Sequence, residues 1–261
     1  MALAQETVNL LAERLETARR DRAGIVKITN DHPDLSWADA YVIQDRLRDL
    51  QQDLGVAGLK MGFTSRAKMA QMGCKDPING YLTEAGRIAP GGSVSRGAYI
   101  FPRVEAEIAI VTSRELKGPG CTIAQVQAAV AQVLPALEVI DSRYLNYGFD
   151  LPSVIADNTS AAAFVVGDRG VPVAGLDLKA MGVVTLRNGE VVNTAAGAAV
   201  LGSPLNSVAL LANMLGRRGL SIPAGTLILT GGITEAVPIN PGDHFTIKFQ
   251  NLGQIDLSVT E

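Results

Sequence analysis

Pro102-Arg103-Val104-Glu105-Ala106-Glu107-Ile108-Ala109-Ile110-Val111 reads as a β-strand that starts with carboxylates on one face and finishes apolar on both. Side chains alternate along a strand, so Glu105 and Glu107 share a face. From Ile108 to Val111 no polar side chain interrupts either face, the pattern of a strand covered on both sides. The two carboxylates therefore lead into a buried interior, where ionised neighbours repel and lose hydration unless a cation or a proton compensates. A second apolar run, Val133 to Ile140, carries Glu138 into Asp141-Ser142-Arg143. Three carboxylates without a histidine or cysteine beside them suit a hard divalent ion, Mg²⁺ or Mn²⁺, better than zinc. A Glu-x-Glu pair by itself is better read as the solvent face of an amphipathic strand. The apolar continuation and Glu138 bring the metal reading level with it, although spacing alone does not bring Glu138 to the other two.

The chain has 261 residues, 47% of them hydrophobic, enough for one large core with or without a small appendage. A net charge of −3 and a pI near 5.5 give no basic footprint, and no nucleic-acid partner is expected. No apolar run is read as approaching the roughly 20 residues of a membrane span, and the N-terminus lacks the order of a signal peptide. The expected setting is cytoplasmic. Cys74 and Cys121 have no metal-ligand spacing and no expected disulfide, and with only His32 and His244 a histidine-rich zinc site is excluded.

Helical periodicity marks residues 5–20 and, behind a Ser36/Asp39 capping arrangement, a second helix through Ala40, Ile43, Leu47, Leu50 and Leu54. The polar loop Thr29 to Asp34 between them is a connector or a flap. In Val56-Ala57-Gly58-Leu59-Lys60-Met61-Gly62-Phe63-Thr64-Ser65, a lysine inside a short apolar strand is unusual, and either it snorkels outward or it serves a site. Ser65 to Gly73 reads as a short helix, and Asp76 to Gly80 as a turn into Tyr81-Leu82. Thr122 and Gln125 open a helix with Ile123, Val126, Val130 and Val133, stopped by Pro135. Asp157, Asn158 and Ser160 either cap a helix or line a pocket. Asn188-Gly189 marks a hairpin, and Ser203-Pro204 opens a helix. Leu227 to Thr234 enters a glycine turn whose N–H groups, with Thr230 or Thr234, could meet an anion. Two closing strands follow, Phe245 to Phe249 and Ile255 to Val259. The layout is a helical N-terminal region with the Lys60 strand, 1–75, and a β-rich core, 76–261, most simply one continuous domain.

With Gly58-Leu59-Lys60-Met61-Gly62-Phe63-Thr64-Ser65, Arg103-Val104-Glu105-Ala106-Glu107-Ile108-Ala109, Leu137-Glu138-Val139-Ile140-Asp141-Ser142-Arg143, Ala156-Asp157-Asn158 and Leu229-Thr230-Gly231-Gly232 in this order, the chain resembles the hydratase and decarboxylase branch of the fumarylacetoacetate-hydrolase-like superfamily. The resemblance implies an α+β fold with a mixed β-roll core and an α-rich N-terminal part. It implies Mg²⁺ or Mn²⁺ on Glu105, Glu107 and Glu138, and a pocket lysine at Lys60 that serves catalysis. Ser160, Thr230 and Gly231 are the expected substrate contacts. The implied reaction is metal-dependent decarboxylation of 2-oxo-3-hexenedioate, a small 2-oxo dicarboxylate of aromatic meta-cleavage catabolism. Hydration of vinylpyruvate, or a non-catalytic partner role beside that hydratase, is the alternative. Hydratases of the branch tend to carry an aspartate at the position of Ile78, and that carboxylate is missing here. His32 lies in a loop that related acylpyruvate hydrolases use for a catalytic base. A homo-oligomer, and a complex with vinylpyruvate hydratase, are the implied assemblies.

Overall fold

The computed structural model describes residues 3–261. Helices α1 (Gln5–Asp21), α2 (Trp37–Leu50), α3 (Arg66–Met72), α4 (Ile123–Ala129), α5 (Leu151–Ala156) and α6 (Pro204–Arg217) accompany thirteen strands. These are β1 (Val56–Gly62), β2 (Ile78–Thr83), β3 (Arg87–Ile88), β4 (Ser93–Ser95), β5 (Arg103–Thr112), β6 (Val130–Ile140), β7 (Ala161–Val166), β8 (Gly182–Arg187), β9 (Glu190–Ala196), β10 (Leu227–Leu229), β11 (Val237–Pro238), β12 (His244–Phe249) and β13 (Gly253–Thr260). One sheet runs β2-β1-β10-β5-β6-β7-β3 with β11 against β5, and the second runs β4-β13-β12-β8-β9. The first is mixed, with β1 parallel to β10 and β3 parallel to β7. Fold class is α+β, a curled-sheet core behind a helical N-terminus, as the resemblance implies. Strands from both sides of residue 75 share the first sheet, because β1 pairs with β2 and with β10.

Alternation along β5 does what its sequence dictates. Val104, Ala106, Ile108 and Ile110 face the main core between the sheets, together with Leu137 and Val139 of β6 and Phe245, Ile247 and Leu257 of the second sheet. Ala109 on the other face joins a smaller cluster with Leu134, Ala136, Phe164 and Leu229. The helices form a separate layer, in which Val8, Leu11 and Leu15 of α1 pack with Ile43 and Leu47 of α2 and Ile155 of α5. The Ser36/Asp39 capping box forms as expected.

Four expectations are corrected. The helix opened by Thr122 ends at Ala129, and β6 then continues through Pro135. That proline is tolerated inside a strand because its carbonyl, which accepts Gly167 N–H at 2.9 Å, points to the side where β7 has already ended at Val166. The absent N–H lies on that same side, at the end of the β6–β7 pairing, so no bond of the β5–β6 ladder is lost. Ile78, Asn79 and Gly80 belong to β2 rather than to a turn, with Ile78 paired with Gly62. The second helix stops at Leu50, since Gln51 leaves helical geometry, and Leu54 falls in a 3₁₀ turn. Within the 21 residues Gly197–Arg217 an 18-residue window has a mean hydropathy of 1.4, longer and more apolar than the sequence reading allowed. More than half of that window is buried within the fold, and α6 supplies Val208, Leu211 and Leu215 to the core.

Candidate metal and substrate site

Glu105 stands directly opposite Glu138 across the β5–β6 ladder, and Glu107 opposite Ala136. Directly opposed residues project from the same face, so two adjacent strands present all three carboxylates together. One oxygen from each lies within 4.8 Å of the others. Glu107 and Glu138 are completely buried, whereas Glu105 reaches the cavity described below. Glu107 accepts a hydrogen bond from Gly231 N–H at 2.7 Å. Among the described residues, its other oxygen and both oxygens of Glu138 have no hydrogen-bond partner.

Lys60 enters from β1, three strands from β6 across the sheet, because the sheet curls. Its Nζ lies 2.8 Å from Glu138 Oε1, a close ionic contact outside hydrogen-bond alignment, and donates to the Thr159 carbonyl at 3.0 Å. At 2% exposure it does not snorkel. Burial pushes Glu105 up to about 7 against the pull of Lys60, and Glu138 adds repulsion. Burial and the charge of Glu138 push Glu107 well above the carboxylate range, and burial raises Glu138 despite Lys60. Burial alone would lower Lys60, but the three carboxylates together hold it above its ordinary value. The ammonium stays charged while the glutamates are short of positive charge. Orphaned carboxylate oxygens, an all-oxygen donor set and this deficit fit a hard divalent cation, so the cluster can bind one.

A cavity of about 530 Å³ opens over Lys60 and Glu105. Phe63, Tyr147 and Phe149 wall one part of it. Arg103 lies 4.2 Å above the Tyr147 ring and Lys68 5.9 Å above Phe63, which gives the outer cavity two cations on aromatic supports. A second cavity of about 200 Å³, between the helical layer and the sheet, reaches none of the three glutamates.

Among the expected substrate contacts, Ser160 lines the cavity with a buried hydroxyl lacking any partner. Thr230 and Gly231 do not line it, and their polar groups are already engaged. Thr230 Oγ1 donates to Ile108 O at 2.8 Å, its carbonyl accepts from Ser207 Oγ at 2.6 Å, and Gly231 N–H holds Glu107. Gly231 is required there, since its φ is +112° and a Cβ would fall 2.2 Å from Thr64 Oγ1. Thr234, the other threonine of that turn, lines the cavity with an unpartnered hydroxyl. Arg103 and Tyr147 escaped the residue-by-residue reading. The available signal was parity: Arg103 lies two residues before Glu105 and shares its face. His32 is not among the cavity-lining residues, and its loop is tied down where Thr29 Oγ1 donates to Asp150 Oδ2 at 2.5 Å.

Residues 59–260 match the family model described as fumarylacetoacetate (FAA) hydrolase C-terminal. The chain is 51% identical over 255 residues to a 4-oxalocrotonate decarboxylase of Pseudomonas putida, covering 97% of each. It is 34% identical to the 2-oxo-hept-4-ene-1,7-dioate hydratase of Escherichia coli, covering 96% of this chain and 97% of that one. Among solved structures, 4-oxalocrotonate decarboxylase from Pseudomonas putida G7, complexed with magnesium and adipate, superposes with a TM-score of 0.96 at 49% identity over 99% of each chain.

Proposed function

The chain belongs to the fumarylacetoacetate-hydrolase family, and on that basis we propose that it is a carboxy-lyase that decarboxylates 4-oxalocrotonate, 2-oxo-3-hexenedioate, to 2-hydroxypenta-2,4-dienoate and CO₂. The observation that carries the choice is likeness over nearly the whole chain, 51% to a decarboxylase across 97% of it against 34% to a hydratase across 96%. Ile78 in place of an acidic residue accords with a reaction that need not activate water.

When the carboxylate farthest from the 2-oxo group leaves as CO₂, its bonding pair forms a new double bond to the neighbouring carbon. The existing alkene pair shifts toward the oxo carbon, and the carbonyl pair moves onto oxygen. Negative charge thus collects on a single oxygen. A divalent ion on Glu105, Glu107 and Glu138, Mg²⁺ or Mn²⁺, supplies Lewis-acid stabilisation of that charge when bound. Lys60 spends one N–H on Thr159 O and donates another to the developing enolate oxygen. Ser160 and Thr234 offer their free hydroxyls to the near end of the substrate. Arg103 holds the far carboxylate in one plane before cleavage, with Lys68 beside it. Phe63, Tyr147 and Phe149 keep that end poor in water.

We place the enzyme in the cytoplasm, a setting that accords with the free thiols of Cys74 and Cys121, as a homo-oligomer able to associate with vinylpyruvate hydratase. Retention of the three glutamates and Lys60 speaks against a purely non-catalytic partner. The test is a spectrophotometric assay of purified protein with Mg²⁺ and 2-oxo-3-hexenedioate, products identified by mass, beside vinylpyruvate. Metal-dependent CO₂ release is the expected result. Hydration of vinylpyruvate without decarboxylation would overturn the reading.

A further inference from the structure

Asn158, Thr159 and Ser160 have φ values of 49°, 54° and 56°, three consecutive non-glycine residues in the left-handed region. Such a run is costly and persists only where its surroundings over-determine it. Here the surroundings are β2. The Asn158 side chain accepts from Tyr81 N–H and donates to Tyr81 O, both at 2.9 Å, standing in for a neighbouring strand on the free edge of the sheet. Thr159 Oγ1 donates to Asn79 O at 2.9 Å. Behind the turn, buried Arg143 pairs with Asp157, donating to its carboxylate and its carbonyl. Between Asn79 and Tyr81 lies Gly80, the residue opposite Lys60 across the β1–β2 ladder. The turn and the lysine therefore hang from one three-residue frame.

The consequence falls on Lys60. An ammonium has three N–H bonds in fixed tetrahedral relation. One points to Thr159 O at 3.0 Å, which fixes rotation about Cε–Nζ and so sets the other two directions, while Glu138 Oε1 lies 2.8 Å away without hydrogen-bond alignment. The remaining N–H bonds are then no longer free to choose, and Lys60 lines the cavity. We propose that Thr159, locked in its left-handed turn by Asn158, is a positioning residue that aims a remaining Lys60 N–H at the substrate. Its hydroxyl is spent on Asn79, so it acts through its backbone carbonyl. The inference rests on the proposed decarboxylase reading.

Gly62 gives access to the turn. A Cβ there would lie 2.4 Å from Thr159 Cγ2, with its next contact, Ile78 Cγ1, at 3.2 Å. Gly62→Ala therefore pushes on Thr159 first, and Thr159→Ser in the same chain removes the offending methyl while keeping a hydroxyl for Asn79. In full-length protein with Mg²⁺ and 2-oxo-3-hexenedioate, Gly62→Ala should lose about tenfold to a hundredfold in kcat, the scale of a small misplacement of a catalytic group. KM and calorimetric Mg²⁺ affinity should stay put, and the double variant should recover kcat. An independent readout is the ¹H–¹⁵N resonance of the Lys60 ammonium, assigned by its loss in Lys60→Met. It should shift or broaden in Gly62→Ala and return in the double variant. Unchanged kcat in Gly62→Ala, or a loss that the double variant does not relieve, would overturn the proposal. If Gly62→Ala fails to fold, Asn158→Ala takes its place, and wild-type kcat there overturns it equally. Should the wild-type protein leave the substrate untouched, the decarboxylase reading fails, while the ammonium resonance still decides whether Thr159 orients Lys60.

Discussion

Replacing Lys60 by methionine removes the one positive charge that lies within 2.8 Å of Glu138 while keeping an unbranched stem of similar length. Both partners are essentially out of water, at 2% and 0% exposure, and the three carboxylates crowd within 4.8 Å. Removing one partner of a buried pair costs about 3–5 kcal/mol, because the other charge is left uncompensated. In a chain of this size each kcal/mol moves Tm by about 2–4 °C, so Lys60→Met in EDTA should melt about 6–20 °C below wild type. Mg²⁺ replaces the missing charge. Any folded protein with a site gains about 2.7 kcal/mol at a ligand concentration a hundred times Kd. The variant should gain more than wild type, since its Glu138 no longer shares an oxygen with an ammonium. Turnover should stay lost even with the metal bound. Circular dichroism melts in EDTA and in excess Mg²⁺, run beside the decarboxylation assay, check all three. Equal melting of variant and wild type in EDTA would refute the reasoning, because the ammonium would then not be compensating the cluster.

Glu107→Gln should weaken calorimetric Mg²⁺ binding and turnover together, and full activity with metal bound would remove Glu107 from the ligand set. Arg103→Met should weaken inhibition by adipate about tenfold or more, the scale of one hydrogen bond to a charged group, and leave inhibition by pentanoate unchanged. An equal loss for both acids would detach Arg103 from the far carboxylate. Hydrogen bonds from Arg187, Asn240 N–H and Asn188 hold the Asp243 carboxylate below its usual range although burial works the other way. A depressed carboxylate stabilises above its unfolded pKa of about 3.9 and loses that contribution as pH falls through the folded value. Arg187→Met should therefore lower Tm at about pH 5 and flatten the further fall toward about pH 2, and a parallel pH profile in both proteins would contradict this.

What could be read from the sequence was whatever depends on side-chain type and parity. Glu105 and Glu107 two apart before Ile108-Ala109-Ile110, and a lysine between Leu59 and Met61, are local patterns, and the ladder that opposes Glu105 to Glu138 is the simplest pairing of two such strands. Closure of the sheet is not local. Lys60 reaches Glu138 only because the strands between them curl, and no residue of β10 or β5 announces the curvature. Pro135 misled for a related reason: its tolerance depends on where β7 ends, a fact of the partner strand. Thr230 and Thr234 have the same chemistry and lie in the same turn. The pairing of β10 with β5 takes Thr230 for Ile108 O and leaves Thr234 facing the cavity. The groups that hold Lys60 and Glu107 in place, Thr159 O and Gly231 N–H, are backbone atoms that every residue type possesses. A site built this way shows its charges in the sequence, while the orientation of those charges is set by backbone that only the fold positions. This is why substitutions at Gly62 or Asn158, neither of which carries a charge, are expected to slow turnover through Lys60.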